Sequence, residues 1–187
     1  LYNTIDSLIE HRSELLAEKE IRLKARAKIN LTLDVTGKRE DGYHLLETIM
    51  QTVQLYDGVY MKKLDQPEIR LKTNLPWLPT DERNLAWKAA NLMIETFGIE
   101  GGVFIEIDKR IPVAAGLAGG STDCAAVLVG MNRLYDLHLS ETQLEELAGK
   151  LGSDIPYCVR RGTVLCEGVG EIMTNVEHPC PECHVVL

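Results

Sequence analysis

No apolar run in this 187-residue sequence approaches the roughly 20 residues that a membrane-crossing helix needs. The first 20 residues carry too many Asp and Glu for a transit peptide. A basic surplus is also missing. The formal net charge is −8, with acids spread along the chain, which argues against a general nucleic-acid or anionic-membrane surface while leaving room for local basic sites. There is no low-complexity segment, internal repeat or linker, so disorder is not the default and the length suits one sizeable core. The cysteines (Cys124, Cys158, Cys166, Cys180, Cys183) are odd in number and scattered among helical and strand patterns, which excludes a disulfide scaffold. These absences lead to the expectation of a cytoplasmic protein with neither a nucleic-acid nor a membrane partner.

What is present alternates between two periods. Residues 1–20 place Leu1, Ile5, Leu8, Leu15 and Leu16 near helical spacing and predict an amphipathic leading helix. From Ile21 to Val35 apolar and polar residues alternate, the pattern of a long half-buried strand, bent or bulged along its length. Asp41-Gly42 signals a turn, and the segment after it reads as a returning strand or strand pair. "PEIRLKT" and "GVFIEIDKR" read as further strands, and residues 84–97 as a helix stopped by Gly98. A helix follows with Cys124, Val127, Leu128, Met131, Leu134 and Tyr135 on one face, then another from about Ser140 with Gly152 as its stop. "GTVLCEG" and the final "HVVL" read as strands. Helices and strands mix without regular βαβ repetition, which predicts an α+β fold. The chain starts at Leu1 and stops in an apolar run, so both ends are expected to be cut.

Residues 111–122, "IPVAAGLAGGST", are almost all small and lie between a strand and a helix. Giving up side-chain packing there, at the entropic cost of glycine, makes sense if a ligand approaches the backbone. A helix N-terminus offers free N–H groups and the positive end of the helix dipole to an anion such as phosphate. No Gly-Lys-Ser/Thr follows, so the stretch is not of the Walker type, and it lacks the dinucleotide-binding spacing. A close-packed loop is the competing reading.

"IPVAAGLAGGSTDCAA" resembles the phosphate loop of the GHMP kinases, the superfamily of galactokinase, homoserine kinase and the mevalonate kinases. "ARAKINLTLDVTGKREDGYH", "RNLAWKAA" and "LGSDIPYCVRRGTVLCEGVGE" narrow the resemblance to members that phosphorylate the 2-hydroxyl of a cytidine-diphosphate-linked methylerythritol in the non-mevalonate isoprenoid pathway. It runs from about Leu23 to Leu187. The resemblance implies an N-terminal domain of ribosomal protein S5 domain 2-like fold over residues 21–187, with residues 1–20 outside the match. It also implies a C-terminal domain, with another glycine-rich motif, that this sequence lacks.

The same resemblance distributes roles. Lys28, otherwise one more polar-face residue of a strand, would lie beside the acceptor hydroxyl, and Asp154, otherwise a turn-capping residue, would be the general base. Pro112, Gly116, Leu117, Gly119, Gly120, Ser121 and Thr122 would form the ATP site, with Ser121 and Thr122 opening the helix as caps and contacting phosphate or Mg²⁺. Asn84 and Lys109 match positions near the nucleotide pocket, and Asn30, Tyr43 and His44 the acceptor side. Asp123 has no role by resemblance, and a carboxylate there would repel phosphate unless it turns away or shares the metal.

"HPCPECH" supplies the rival metal motif, with His178, Cys180, Cys183 and His184 within seven residues. Structural zinc joins separated ligand pairs, and so tight a run could hardly wrap one ion tetrahedrally, so no zinc is expected. The expected activity is an ATP- and Mg²⁺-dependent kinase acting on a small-molecule substrate, with a homodimer left open. The alternatives are another GHMP small-molecule kinase and a truncated, non-catalytic nucleotide-binding domain.

Overall fold

The computed structural model describes residues 19–38, 42, 44–177 and 180–186. The expected leading helix falls, apart from its last two residues, outside them. Strand β1 runs from Glu20 to Lys38 and pairs antiparallel with β2, which is one strand from His44 to Leu64 rather than a strand pair. Strands β3 (Ile69–Thr73) and β4 (Gly102–Asp108), helix α1 (Leu85–Phe97) and helix α2 (Gly119–Leu134) follow the sequence periods. Helix α3 spans Glu141–Gly149, α4 Ile155–Arg160, β5 Thr163–Gly168 and β6 Ile172–Asn175.

The local signals at the helix ends are plain in two cases. Asn84 caps α1 by accepting from Ala86 N, and Gly98 closes it in the left-handed conformation at φ 62°. Ser140 and Gln143 form a reciprocal capping box on α3. Gly152 is not the stop of that helix, which ends at Gly149 with Lys150 as its cap. The described part of the final "HVVL", residues 184–186, forms no strand either, and the last strand among the described residues is β6, paired with β5.

The sheet has six strands, and β2 organises it. Its whole length pairs on one side with β1, while its other side is shared by two strands placed end to end. Val59 and its neighbours face β4, and residues 46–51 face β5. Parallel β3 extends the sheet beyond β4, and β6 extends it beyond β5. The C-terminal end of β4 (Asp108 opposite Gly58) and the start of β5 (Thr163 opposite Gln51) therefore meet near the middle of β2. Two connections, the loop after β4 and the segment around α4, emerge at that junction.

The helices α1, α2 and α4 pack with the sheet around one core. Ala89, Ala90 and Met93 of α1, Cys124, Leu128 and Met131 of α2, and Tyr157 of α4 are buried with Val59, Met61, Ile105 and Ile107 of the sheet. Burying the valine, leucine, isoleucine and methionine side chains among these contributes about 1.5–3 kcal/mol each. The polar face of β1 lies over aromatic rings instead, with Arg22 4.5 Å from the Tyr60 ring centre and Lys24 4.8 Å from that of Tyr56. No helix among the described residues is long and apolar enough to cross a membrane.

Candidate active site

The loop after β4 opens a cleft of about 390 Å³ at the junction on β2. Its backbone explains the small residues. Ala114, Gly116 and Ala118 adopt φ of 58°, 75° and 58°, every second residue in the left-handed region, an alternation that lets successive N–H groups turn toward one concavity and receive an anion. The two alanines hold a conformation that costs non-glycine residues about 1–3 kcal/mol each. Helix α2 begins two residues earlier than the expected caps. Its N-cap is Ala118, which has no side chain to bond the first N–H groups, so the helix end stays open toward the cleft.

Among the expected nucleotide residues, Pro112, Gly116, Gly119, Gly120, Ser121, Asn84 and Lys109 all line this cleft. Two others do not. Leu117 is 7% exposed, packs with Ala27 and Ile111, and uses its carbonyl to accept Lys28 N at 3.2 Å. Thr122 is buried within the helix, and its hydroxyl donates to Arg26 O at 2.8 Å, tying α2 to β1 instead of facing a ligand. Ser121 keeps a place on the lining, as the third residue inside the helix rather than its cap.

Lys28 and Asp154 come together at the same cleft from different elements. Lys28 lies where β1 is irregular: Arg26 pairs with Tyr56 but Lys28 with Thr52, so β2 bulges between them and re-aims the lysine. Its ammonium donates to Asn30 Oδ1 at 2.7 Å, and Asn30 donates in turn to Thr48 Oγ1 at 2.7 Å. Asp154 stands at the N-cap position of α4, yet its carboxylate makes no capping bond. Its nearest cation is Lys28, at 3.9 Å, and its side chain is 42% exposed. The segment carrying it is fixed by Tyr157, whose hydroxyl donates to Gly162 O at 2.9 Å and lies 3.0 Å from Thr52 Oγ1. An immobilised helix thus presents a carboxylate with unfilled lone pairs to the cleft.

A second cluster lies beneath the loop, and sequence reasoning found only one of its roles. Lys109 does not point its ammonium freely into the cleft; it is bonded to Asp57 and, at 2.7 Å, to Asp123 Oδ2. All three side chains are at most 6% exposed. Asp57 Oδ1 also accepts Arg110 N at 2.5 Å and Ile111 N at 2.8 Å, where the loop leaves β4. Asp123 therefore turns away from phosphate, and its Oδ1 is buried with no hydrogen-bond partner. Burial, offset only in part by Lys109, raises Asp123 to about 8. Burial pulls the Lys109 ammonium down, but the Asp123 and Asp57 carboxylates outweigh it, and the lysine titrates above its ordinary value.

The acceptor-side residues divide. Asn30 is held beside Lys28, whereas His44 is exposed at the far end of the β1–β2 ribbon, opposite Lys38. Ten register positions, about 30 Å of strand, separate it from Lys28. Tyr43 and His178 lie outside the described residues.

A left-handed small-residue loop at an uncapped helix end, with a lysine and an uncommitted carboxylate at the rim, is an arrangement suited to receiving a phosphate-bearing ligand. Residues 84–162 match the family model described as the GHMP kinases N terminal domain, and the chain has the fold of that domain. The chain is similar to named enzymes. It is 55% identical over 157 residues to the 4-diphosphocytidyl-2-C-methyl-D-erythritol kinase of Clostridium botulinum (strain Eklund 17B / Type B), covering 84% of this chain and 56% of that protein. It is 50% identical over 169 residues to the kinase of the same name from Lachnospira eligens, covering 90% and 58%. A crystal structure of 4-(cytidine 5'-diphospho)-2C-methyl-D-erythritol kinase superposes with a TM-score of 0.72 at 37% identity, over 83% of this chain and 55% of that one. The homoserine kinase of Cytophaga hutchinsonii shares the fold at TM-score 0.61 and 23% identity, over 79% of this chain and 48% of that one. The chain spans little more than half the length of the curated relatives it matches.

Proposed function

We propose that this chain supplies the nucleotide loop and the reacting groups of a kinase that transfers the γ-phosphoryl group of ATP to the 2-hydroxyl of 4-diphosphocytidyl-2-C-methyl-D-erythritol. The observation that carries the proposal is the meeting of Lys28 and Asp154, 3.9 Å apart, on the lining of the cleft formed by the loop. The backbone N–H groups at residues 114–121 hold the phosphates. Asp154 takes the proton of the acceptor hydroxyl as its oxygen bonds to the γ-phosphorus and the bond to the β,γ-bridging oxygen breaks, releasing ADP. Lys28, oriented by Asn30, keeps the carboxylate ionised and offsets charge on the transferring group. Transfer of this kind asks the protein for position and charge neutralisation, and no covalent enzyme intermediate is required.

The donor at the cleft suits Mg²⁺, a hard cation that takes oxygen ligands: the Ser121 hydroxyl lines the cleft and would hold the ion together with the phosphates of ATP. When bound, the ion neutralises charge on the β- and γ-phosphates. The substrate assignment rests on the similarity to kinases of that name. It is tested by ADP release with a panel of acceptors, using this sequence extended to the length of its relatives. ADP release that depends on the cytidine-diphosphate-linked acceptor is the expected result; equal or greater release with homoserine or mevalonate would overturn the substrate.

A further inference from the structure

The described surface holds a second concave site, unconnected to the kinase cleft, in which cations accumulate despite the net charge of −8. Among the described residues β1 pairs only with β2, and along its other edge a groove of about 590 Å³ runs between β1 and helices α2, α3 and α4. Arg22, Lys24 and Arg26 approach it from β1, Arg133 from the end of α2, and Arg160 and Arg161 from the end of α4. Glu141 is the one carboxylate among the described residues lining it. Arg160 is neutralised by Glu145 through two bonds of 2.7 Å. For the guanidinium groups of Arg133 and Arg161 no hydrogen-bond or ion-pair partner occurs among the described residues.

Arg161 is the informative member. Its backbone is at φ 68°, ψ −173°, a region that is essentially glycine's own. Gly162 follows immediately, so a glycine was available to the chain at this turn. A strained arginine in that place is held half-buried beside other guanidinium groups, and the nearby charges of Arg26 and Arg133 add to burial in disfavouring its charged form. Clustering like charges and straining the backbone both oppose folding, and an anion bound between the guanidinium groups would reverse the first. Guanidinium groups match phosphate oxygens with paired, charge-assisted hydrogen bonds, and several of them in one groove favour an anion with more than one phosphate.

We propose that the groove along the other edge of β1 is a binding site for an oligophosphate anion, with Arg161 and Arg133 as its principal contacts; Arg26 also lines it, its guanidinium donating to Gln54. This goes beyond the kinase reading and does not depend on it. The experiment is calorimetric titration of inorganic tripolyphosphate, without divalent metal, into the chain and into Arg161→Gly, Arg133→Ala and Gly119→Val. Each arginine variant should weaken tripolyphosphate binding by roughly tenfold or more, the effect of losing a charged hydrogen-bond partner, while leaving affinity for a non-hydrolysable ATP analogue within about twofold. Gly119→Val, at the kinase loop, should leave this binding in place. Arg161→Gly suits the local backbone and should melt no lower than the parent; should it melt lower, exposed Arg133 decides alone. Unchanged affinity in the arginine variants, no binding by the parent chain, or binding abolished by Gly119→Val alone would each overturn the site.

Discussion

Two lysine–carboxylate groups border the same cleft and are built in opposite ways. Lys28 and Asp154 are separated by 3.9 Å, and the carboxylate is 42% exposed with no other partner. Lys109, Asp57 and Asp123 are in direct contact and almost wholly buried. The open pair keeps lone pairs and a proton path available, which is what general-base chemistry needs. The sealed cluster has spent nearly all its bonding capacity inside the protein, and what it fixes is the departure of the loop from β4 and the first turn of α2. On the proposed function, the open group reacts and the sealed one holds the backbone in the shape that binds.

The comparison is broken most severely at Asp57. Asp57→Ala leaves Arg110 N and Ile111 N without their acceptor and Lys109 with one carboxylate, and should cost about 3–5 kcal/mol of stability, read by denaturant melts. A loss near zero would mean that the cluster does not hold the loop. At the open pair, Lys28→Met should lower turnover of the extended enzyme by about 10²–10⁴-fold while changing stability by no more than about 1 kcal/mol and ATP affinity only a few-fold. Near-full activity would remove the lysine from the chemistry.

The pH dependence sharpens the contrast. Asp123, raised to about 8, holds a proton in the folded chain that the unfolded chain has released above the ordinary carboxylate range. Over that interval the unfolded state binds fewer protons, so stability is greatest at the acid end and is lost as the pH rises toward 8. Without nucleotide, the melting temperature should fall between about pH 5 and about pH 8, and fall less in Asp123→Asn. Parallel slopes in the two proteins would contradict this. Ser140→Ala, which touches neither group, sets the baseline: it removes one half of the α3 capping box and should cost about 1 kcal/mol with turnover unchanged.

What could be read in the sequence is what local spacing encodes. The period-two run of β1, the Asn84 and Gly98 ends of α1 and the small-residue loop are all of this kind. The sealed cluster was not legible because Lys109 reaches Asp57 across 52 positions and Asp123 across 14, and only the pairing of β2 with β4 brings them together. Asp57-Gly58 even has the composition of a hairpin turn, yet lies inside β2. Helix α4 is six residues long, too short for a helical period to show, and its Pro156 sits in the first turn, where a missing N–H does no harm. The left-handed Ala114 and Ala118 carry no sequence mark, because alanine ordinarily avoids that conformation. Thr122 looked like a cap because its hydroxyl is of the right type, and only the packing of α2 on β1 gives that hydroxyl to Arg26 O.

The central claim is that the open pair reacts and the sealed cluster builds, and the most direct test of it is ADP release by Asp154→Asn in the extended enzyme, measured where a melt shows the variant folded. Asparagine preserves the shape of the side chain and cannot accept the acceptor's proton as a carboxylate does. The account predicts turnover lowered by about 10²–10⁴-fold with a melting curve that overlays the parent. Turnover within a few-fold of the parent would contradict it.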